Sequence, residues 1–277
     1  MKLSISDQKN RRRTIQDRFI SGINSLRFAV TEPVILRIAR ARCEQFYSNQ
    51  REDPLVSVMI PTYNRGQLLV DRTLPSILAQ TYQNLEVVIV GDCCPDNTAE
   101  LIAKIKDPRV RFFNLPKRGQ YPEDVICRWF VAGVEPANKA LKLVRGKWIA
   151  FSDDDDVFTP DHIETLLRFA QKERYEFVSA LYEAERNGKR VVVGYKSNES
   201  PEYAGHQTWL WRSYLNLFTY NVHCWRKSWN CPADIDRILR MHVAGVRMGY
   251  LDQVITYVLP RLGLSTVGLA AHEIECE

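Results

Sequence analysis

Apolar residues recur at every third or fourth position through much of the first fifty residues, and this spacing predicts helices. One face carries Ile15, Phe19, Ile23, Leu26 and Val30. Pro33 interrupts the pattern, and it resumes with Ile35, Ile38, Ala39, Arg42 and Phe46. We therefore expect two amphipathic helices between residues 11 and 47, followed by a polar linker over residues 49–54.

From residue 55 the pattern changes to short, continuous apolar runs separated by helical spacing. The runs predict buried strands at 55–60, 85–90, 110–113 and 148–151, with helices at 67–79, 98–106, 136–144 and 160–171. Further on, we expect a hairpin of strands 177–182 and 191–195 around Asn187-Gly188, a helix at 234–243 and a strand at 250–258. Strand–helix alternation of this kind predicts an α/β fold, a mostly parallel sheet with helices on both faces.

Charge divides the chain at the same place as the hydrophobic pattern. The whole sequence of 277 residues has 38 Lys and Arg against 33 Asp and Glu, a net charge of +5. Residues 1–53 hold 11 of the basic and 6 of the acidic residues, so they carry the entire excess. The basic residues of this arm include Arg11, Arg12, Arg13, Arg18, Arg27, Arg37 and Arg40. A nucleic-acid-binding protein spreads its charge over the working surface, so this class is disfavoured.

Composition excludes two further classes. No run approaches the roughly 20 apolar residues of a membrane span, and the N-terminus lacks the apolar core of a signal peptide. The 7 cysteines are odd in number and contain no CxxC spacing, which argues against a disulfide framework or a standard zinc site. We expect a cytoplasmic protein.

Polar residues follow three of the predicted strands at their carboxyl ends, where open α/β sheets bind ligands. Pro61-Thr62-Tyr63-Asn64-Arg65 follows the first strand and Asp92 follows the second. Four carboxylates, Asp153-Asp154-Asp155-Asp156, follow the fourth almost at once. Neighbouring carboxylates repel one another, and hard divalent ions such as Mg²⁺ and Mn²⁺ take oxygen ligands together with substrate phosphates. The run therefore favours a metal–diphosphate site over a solvated acidic turn that caps the next helix.

These motifs, in this order, resemble those of glycosyltransferase family 2. The resemblance rests on Val56–Arg65, Leu85–Asp92, Asn138-Lys139-Ala140 and Gly146–Asp156, and it extends over about residues 54–260. It implies a GT-A type, Rossmann-like fold with an N-terminal helical extension over residues 1–53. It also implies a catalytic domain over 54–277, divided into a nucleotide-binding half (54–156) and an acceptor-binding half (157–277). The implied activity is metal-dependent, inverting transfer from a nucleotide-sugar, with UDP as the expected nucleotide.

The resemblance also implies residue roles. Tyr63 and Asp92 match the family's uracil contacts, with Pro61 and Thr62 beside the ribose. Asp153-Asp154-Asp155 matches the DXD motif, in which Asp155 ligates Mn²⁺ or Mg²⁺ and Asp153 holds the ribose or the metal shell. Arg128 corresponds to a basic diphosphate contact, His272 to a metal ligand, and Arg65 and Asn138 belong to the motifs of the nucleotide-sugar site. Cys93 and Cys94 depart from the family's usual acidic residue and Gly-Ser after the second strand.

The general base is expected from a spacing. In the family an Asp opens a helix that ends in Gly eleven residues later, and Asp234 and Gly245 fit that frame. Ala233 replaces the usual preceding Glu, and Asp236 competes for the role. A helix-starting Asp also serves simply as a dipole partner, so the structural alternative for Asp234 is strong.

Several assignments stay open at this stage. Four tryptophans, Trp209, Trp211, Trp225 and Trp229, are candidates for an acceptor surface and equally for the core. His223 is a second candidate metal ligand beside His272. The alternatives to a transferase are a nucleotidyltransferase on a similar sheet, and an inactive carbohydrate-binding or scaffold protein. The basic arm has three readings: an anionic membrane surface, the rest of its own chain, or a second chain. We favour packing, within one chain or between two, because the apolar stripe is moderate and lacks Trp.

Overall fold

The computed structural model of the protein describes residues 14–49, 52–195, 201–227 and 231–276. Its strands are β1 (Val56–Thr62), β2 (Leu85–Gly91), β3 (Val110–Asn114), β4 (Trp148–Phe151), β5 (Asp156–Phe158), β6 (Phe177–Arg186), β7 (Lys189–Val193), β8 (Leu210–Arg212) and β9 (Met248–Val258). Its α-helices are α1 (Ile15–Cys43), α2 (Gly66–Leu68), α3 (Leu74–Leu78), α4 (Thr98–Ala103), α5 (Val125–Val131), α6 (Val134–Ala140), α7 (His162–Lys172), α8 (Ala233–Val243) and α9 (Leu269–Cys276). Residues 1–13 of the predicted arm and Trp229 lie outside the described residues.

The strands form one sheet in the order β3-β2-β1-β4-β8-β6-β9-β5, with β7 paired to β6. β1 pairs in parallel with β2 on one side and β4 on the other. β2 therefore lies on one side of β1 and β4 lies on the other. This switch in strand order opens a crevice at the carboxyl end of β1. The later strands add antiparallel pairs, between β4 and β8 and between β5 and β9.

Both faces of the front sheet are buried, which explains its uninterrupted apolar strands. In β1, Val58 and Ile60 pack into one hydrophobic cluster and Met59 into the other. The adjacent strand β2 alternates in the same way, with Ile89 on the first side and Val90 on the second. Helices cover the sheet on both sides, so the predicted α/β layers are confirmed.

Two helical segments differ from the predicted ones. The expected helix at 67–79 is present as α2 and α3, joined by a π turn over Leu69–Thr73. Pro75 lies one residue into α3. It lacks an amide hydrogen, and the π turn accommodates the resulting irregularity. The expected helix at 136–144 begins earlier, as α6, and is preceded by α5, which the sequence pattern does not separate from a loop.

The predicted hairpin around Asn187-Gly188 is confirmed. β6 and β7 pair antiparallel up to Arg186 and Lys189, with Asn187 and Gly188 as the two turn residues. Both have positive φ, 50° and 70° respectively. This is the backbone of a two-residue turn whose twist matches that of the flanking strands.

The N-terminal segment is a single helix, so the predicted break at Pro33 is wrong. α1 continues through Pro33 and ends at Cys43. Buried residues on both sides of the proline hold the helix against the body. Leu36 is fully buried in the same core cluster as Met59, and Asp17 and Glu32 are also buried. None of the helices in the described ranges is long and apolar enough to cross a bilayer.

The buried face of α1 is polar as well as apolar. Asp17 forms an ion pair with Arg226, and Glu32 forms one with Arg240 of α8. Arg40 donates to both carboxylate oxygens of the buried Glu176, at 2.7 and 2.5 Å. The predicted apolar stripe lies on the outside instead, so it does not pack within its own chain, whereas packing between two chains stays a prediction. Charged pairs and Leu36 anchor the helix.

Candidate functional site

A cleft of about 440 Å³ opens where the carboxyl ends of β1, β2 and β4 meet, within the usual size of a small-molecule site. Most residues selected from the sequence line it: Pro61, Thr62, Tyr63, Arg65, Asp92, Arg128, Asp153, Asp154, Asp155, Asp234 and His272. Their positions in the chain are far apart, and the strand order brings them together. The sequence-based expectation of one site at this sheet edge is thus matched by the geometry.

One end of the cleft is built by Asp92 and Tyr63. Asp92 is buried and accepts hydrogen bonds from Gly119 N at 2.9 Å and from the Tyr121 hydroxyl at 2.6 Å. Burial and the neighbouring Asp92 raise the pKa of Tyr121, so its phenol keeps the proton that it donates. The guanidinium of Arg118 stacks on the Tyr63 ring, 3.8 Å from its centroid. This end offers a planar aromatic surface and a buried acceptor.

The acidic run occupies the middle of the cleft, and each of its first three carboxylates has its own cation. Asp153 Oδ2 lies 2.9 Å from His206 Nε2, and Asp154 Oδ1 lies 3.0 Å from Arg65 Nη1. Asp155 Oδ2 lies 3.0 Å from Arg261 Nη1. Arg65 also approaches Asp155, at 3.7 Å. Charge pairing across the cleft therefore holds a run that would otherwise repel itself.

The basic partners offset the negative charge of Asp153 and of Asp155 to different extents. Burial would raise the pKa of Asp153, but His206 lowers it below its usual value. For Asp155, burial and the charge of Asp154 outweigh Arg65 and raise the pKa to about 6. Excess negative charge therefore remains at Asp155, which suits an added cation.

Asp156 differs from the other three carboxylates. It begins β5 and is buried, and its Oδ2 has no hydrogen-bond partner among the described residues. Burial and the three preceding carboxylates raise its pKa well above the usual value. Its surroundings therefore disfavour the charged form of Asp156.

The C-terminal helix α9 closes one side of the cleft. Glu275 of α9 pairs with Arg65 at 3.5 Å and with Arg261 at 2.7 Å. His272, on the same helix, lines the cleft, and burial lowers its pKa. The imidazole is consequently neutral near pH 7, the form in which histidine binds metals.

Arg128 lines the cleft from α5, with its guanidinium turned partly toward the backbone. Its Nε donates to Pro122 O at 3.1 Å and its Nη2 to Glu123 O at 2.7 Å. The other N–H groups of Arg128 could donate hydrogen bonds to a diphosphate.

The two candidate bases occupy different environments. Asp234 lies in the first turn of α8 and lines the cleft. Asp236 is fully buried, where it pairs with Lys227 and with Arg240 at 2.8 Å. Asp236 therefore holds α8 against its surroundings, and Asp234 is the one whose carboxylate is available to a bound molecule.

Four residues singled out in the sequence lie outside the cleft lining. Asn138 lies outside the cleft lining, because its side chain bonds both the N and the O of Tyr220, each at 2.9 Å. Trp209 and Trp211 are fully buried in the core, so they offer no acceptor surface. His223 also lies outside the cleft lining.

Sequence reasoning missed other cleft residues, Arg118, Tyr121, Tyr182, His206, Tyr220 and Arg261. No motif marks them, because each comes from a loop or a strand far from the acidic run. Their contribution depends on tertiary contacts.

In the described ranges, no group of three or more His, Cys, Asp or Glu side chains is arranged to hold a metal ion. Divalent ions such as Mg²⁺ often take only one or two carboxylates and complete their shell with water and substrate phosphates. The residues present therefore fit a metal that binds together with a diphosphate, and they do not form a closed all-protein site.

Known proteins are similar in sequence to parts of this chain. The family described as Glycosyl transferase family 2 matches residues 57–122 and 137–227, together more than half of the chain. An uncharacterized glycosyltransferase of Rickettsia felis is 34% identical over 132 residues, covering 47% of this chain and 20% of the relative. WfaP of Escherichia coli, a UDP-Glc:alpha-D-GlcNAc-diphosphoundecaprenol beta-1,3-glucosyltransferase, is 34% identical over 133 residues, 48% of each chain. The chain thus spans from about a fifth to about half the length of these relatives.

Solved structures share the fold. S. aureus TarS 1-349 in complex with UDP-GlcNAc superposes with a TM-score of 0.58 at 20% identity, over 76% of this chain and 60% of that one. The mannosyltransferase PcManGT from Pyrobaculum calidifontis, in complex with GDP-Man and Mn²⁺, gives 0.53 at 16% identity, over 85% and 69%. The expected GT-A type α/β fold is confirmed, and the nucleotidyltransferase reading has no support from these matches.

Proposed function

The chain belongs to glycosyl transferase family 2, and from that membership we propose that it transfers a sugar from a nucleotide-diphospho-sugar to an acceptor hydroxyl, with inversion at the anomeric carbon. One observation carries the proposal. A single cleft contains three parts. One end offers an aromatic ring and a carboxylate to a nucleotide base, the middle holds the acidic run with its basic partners, and Asp234 lies at the start of α8. These are the three parts that such a transfer needs.

The nucleotide base belongs at the end formed by Tyr63 and Asp92, and we propose UDP as the nucleotide. Asp92 is the buried acceptor for a base N–H, and Tyr63 offers the stacking face. Both are already engaged, by Tyr121 and Arg118. Donor binding therefore requires Arg118 to leave Tyr63 or to sandwich the base against it. Pro61 and Thr62 stand beside the ribose in this arrangement.

The diphosphate belongs at the acidic run and its arginines. We propose that Asp155 ligates Mn²⁺ or Mg²⁺, with Asp153 or His272 as a second protein ligand and the donor phosphates and water as the remaining ligands. When bound, the metal neutralises negative charge that develops on the leaving nucleoside diphosphate. Arg65, Arg261 and Arg128 supply fixed positive charge at the same place, where preorganised cations stabilise a charged transition state. Asp154 holds Arg65 in position through its 3.0 Å contact.

Proton transfer is assigned to Asp234. A general base must reach the acceptor hydroxyl as that oxygen attacks the anomeric carbon. Asp234 lines the cleft, while Asp236 is buried and forms ion pairs with Lys227 and Arg240. The new C–O bond forms as the bond to the diphosphate breaks, and the hydroxyl proton passes to Asp234. One displacement inverts the anomeric configuration.

The acceptor side is supported by the aromatic lining of the back half, Tyr182 and Tyr220, in place of the expected tryptophans. We propose a glycan or lipid-linked hydroxyl as the acceptor, because WfaP is named for a diphosphoundecaprenol-linked acceptor. We also propose that the enzyme works in the cytoplasm. The 7 cysteines of the sequence, odd in number and without a CxxC spacing, are consistent with a reducing compartment.

The division of the chain follows from the same assignments. We propose residues 54–277 as the catalytic domain, with residues 1–53 as an extension that shares its core through Leu36. The extension is an added helix of the enzyme and not a second independent unit.

A donor screen tests the proposed activity. The full chain is heated with UDP-, GDP- and dTDP-sugars, each with Mn²⁺ and with excess EDTA. A ligand that binds the native state raises the unfolding temperature, by an amount that grows with the ratio of its concentration to its Kd. We expect UDP-sugars to give the largest shift, and only with Mn²⁺ or Mg²⁺. The absence of a shift with every nucleotide-sugar would contradict the donor class, and an equal shift in EDTA would contradict the metal.

A further inference from the structure

The outer face of α1 carries a row of apolar side chains that the fold leaves uncovered. The row consists of Ile15, Phe19, Ile23, Leu26, Val30 and Val34. Each keeps more than half of its surface exposed, from 51% for Ile23 to 88% for Ile15. The spacing of three and four residues places all six on one side of the helix. At a rise of 1.5 Å per residue, the row is about 28 Å long.

The buried and exposed faces of α1 are the reverse of those of an ordinary surface helix. A surface helix normally buries its apolar stripe and exposes its charges. In α1 the carboxylates Asp17 and Glu32 are buried and paired with arginines of the body, and the apolar stripe faces outward. Contiguous exposed apolar surface of this kind marks an interaction site.

The charges that remain on the outside are all positive. Both acidic residues of α1 point inward, whereas Arg18, Arg27, Arg37 and Arg42 are exposed. The sequence places three more arginines, Arg11, Arg12 and Arg13, immediately before the helix. The exposed face of α1 therefore combines an apolar row with arginines as the charged residues of that face.

These observations distinguish between two occupants. A symmetric dimer through this face would press the same patch of two copies together. The arginines of one copy would then meet those of the other with no exposed carboxylate of α1 to pair with them. An anionic bilayer complements both features, since acyl chains accept the apolar row and lipid phosphates attract the arginines.

We propose that α1 binds in the plane of a membrane surface that contains anionic phospholipid, through the row Ile15–Val34 and its flanking arginines. The inference goes beyond the transfer reaction and does not depend on it. The inner face of α1 contacts α8 through Glu32 and Arg240, and α8 carries Asp234 in its first turn. The membrane-bound helix α1 therefore contacts α8, the helix that carries Asp234 in the cleft.

Vesicle flotation with the full chain tests this assignment. The protein is mixed with vesicles of neutral phosphatidylcholine, or of phosphatidylcholine with 30% phosphatidylglycerol, at low and high salt. We expect flotation with the anionic vesicles only, weakened by salt that screens the arginines. Retention at the bottom of the gradient with anionic vesicles at low salt would overturn the proposal.

Matched variants test whether vesicle binding depends on the apolar row of α1 or on exposed apolar side chains in general. Phe19→Ser with Leu26→Ser should abolish flotation, whereas Val192→Ser with Val243→Ser removes two exposed apolar side chains elsewhere and should leave it unchanged. Arg27→Gln with Arg37→Gln should weaken binding at least tenfold, since each basic residue contributes about fivefold near an anionic surface. All these side chains are exposed, so unfolding temperatures should match the parent and serve as the folding control. Flotation of the Phe19/Leu26 variant like the parent would overturn the proposal, as would a dimer by light scattering that this variant alone dissociates.

Discussion

Arg261 donates from Nη1 to Oδ2 of Asp155 at 3.0 Å, although the two residues are 106 positions apart in the chain. Arg261 follows the last strand and Asp155 follows the fourth, so the back half of the protein supplies the cation for the acidic run of the front half. The pair also reduces the repulsion among the carboxylates of the run. A diphosphate with its metal would replace one set of charge contacts by another within the same cleft.

Removal of the Asp155 charge should abolish the proposed transfer. In Asp155→Asn, the proposed metal loses its main ligand while the arginines keep their positions, so we expect turnover to fall by at least 10²-fold, the scale of losing one transition-state electrostatic contact. Nucleotide release is measured across a Mn²⁺ titration. Asp71→Asn, an exposed carboxylate on the π turn, is the control and should retain full activity. Parent-like turnover of Asp155→Asn would contradict the assignment.

Asp234→Asn and Asp236→Asn should fail in different ways. The first removes the proposed base, so donor affinity should persist while turnover falls by about 10²- to 10⁴-fold. The second leaves Lys227 and Arg240 without their buried partner, at a cost of about 3–5 kcal/mol in unfolding free energy. Calorimetric donor binding, turnover and urea unfolding are compared for both variants. A loss of transfer without loss of stability in Asp236→Asn would move the base to that residue.

The pairing of His206 with Asp153 predicts a specific pH dependence of stability. Burial alone would lower the pKa of His206, but the Asp153 carboxylate raises it above 6.5 overall. A histidine pKa raised by folding stabilises the native state fully below 6.5 and loses that contribution as the pH rises through the folded value. The stability advantage of the parent over His206→Gln should therefore shrink as the pH rises above 6.5. Thermal unfolding measures the difference, and a pH-independent gap would show that the imidazole is not charged.

Neighbouring residues of α1 should respond very differently to truncation. Leu36 is fully buried and Ile35 is 47% exposed. Leu36→Ala should reduce the unfolding free energy by about 2–5 kcal/mol through lost burial and a cavity. Ile35→Ala should change it by about 0.5 kcal/mol or less. Denaturant unfolding checks both. Equal effects would mean that α1 does not share the core of the catalytic domain.

Local patterns were sufficient for much of the front half. The run Val56–Ile60 is apolar at nearly every position because both faces of β1 are covered, and β4 matches its predicted bounds at Trp148–Phe151. The turn at Asn187-Gly188 is equally local, since these two residue types tolerate the positive φ that the hairpin requires. The acidic run and Asp92 could be placed at one sheet edge because parallel strands end together.

Periodicity shows which residues share a face and leaves open which face the protein covers. The stripe from Ile15 to Val34 is therefore visible in the sequence, but its outward orientation depends on the ion pairs of Asp17 and Glu32 with distant arginines. The apolar row stays exposed because these pairs, together with Leu36, anchor the opposite side.

By itself, the sequence determined the strands β1 to β4, the order of the motifs and the carboxylates of the cleft, because each depends on residues close together in the chain. Only the tertiary structure decided that His206 and Arg261 pair with those carboxylates, and that Asn138 lies outside the cleft lining, bonded to the backbone of Tyr220. The physical reason is the same in each case. An ion pair or a buried amide depends on which elements pack together, and no local pattern records a partner that lies 50 or more residues away.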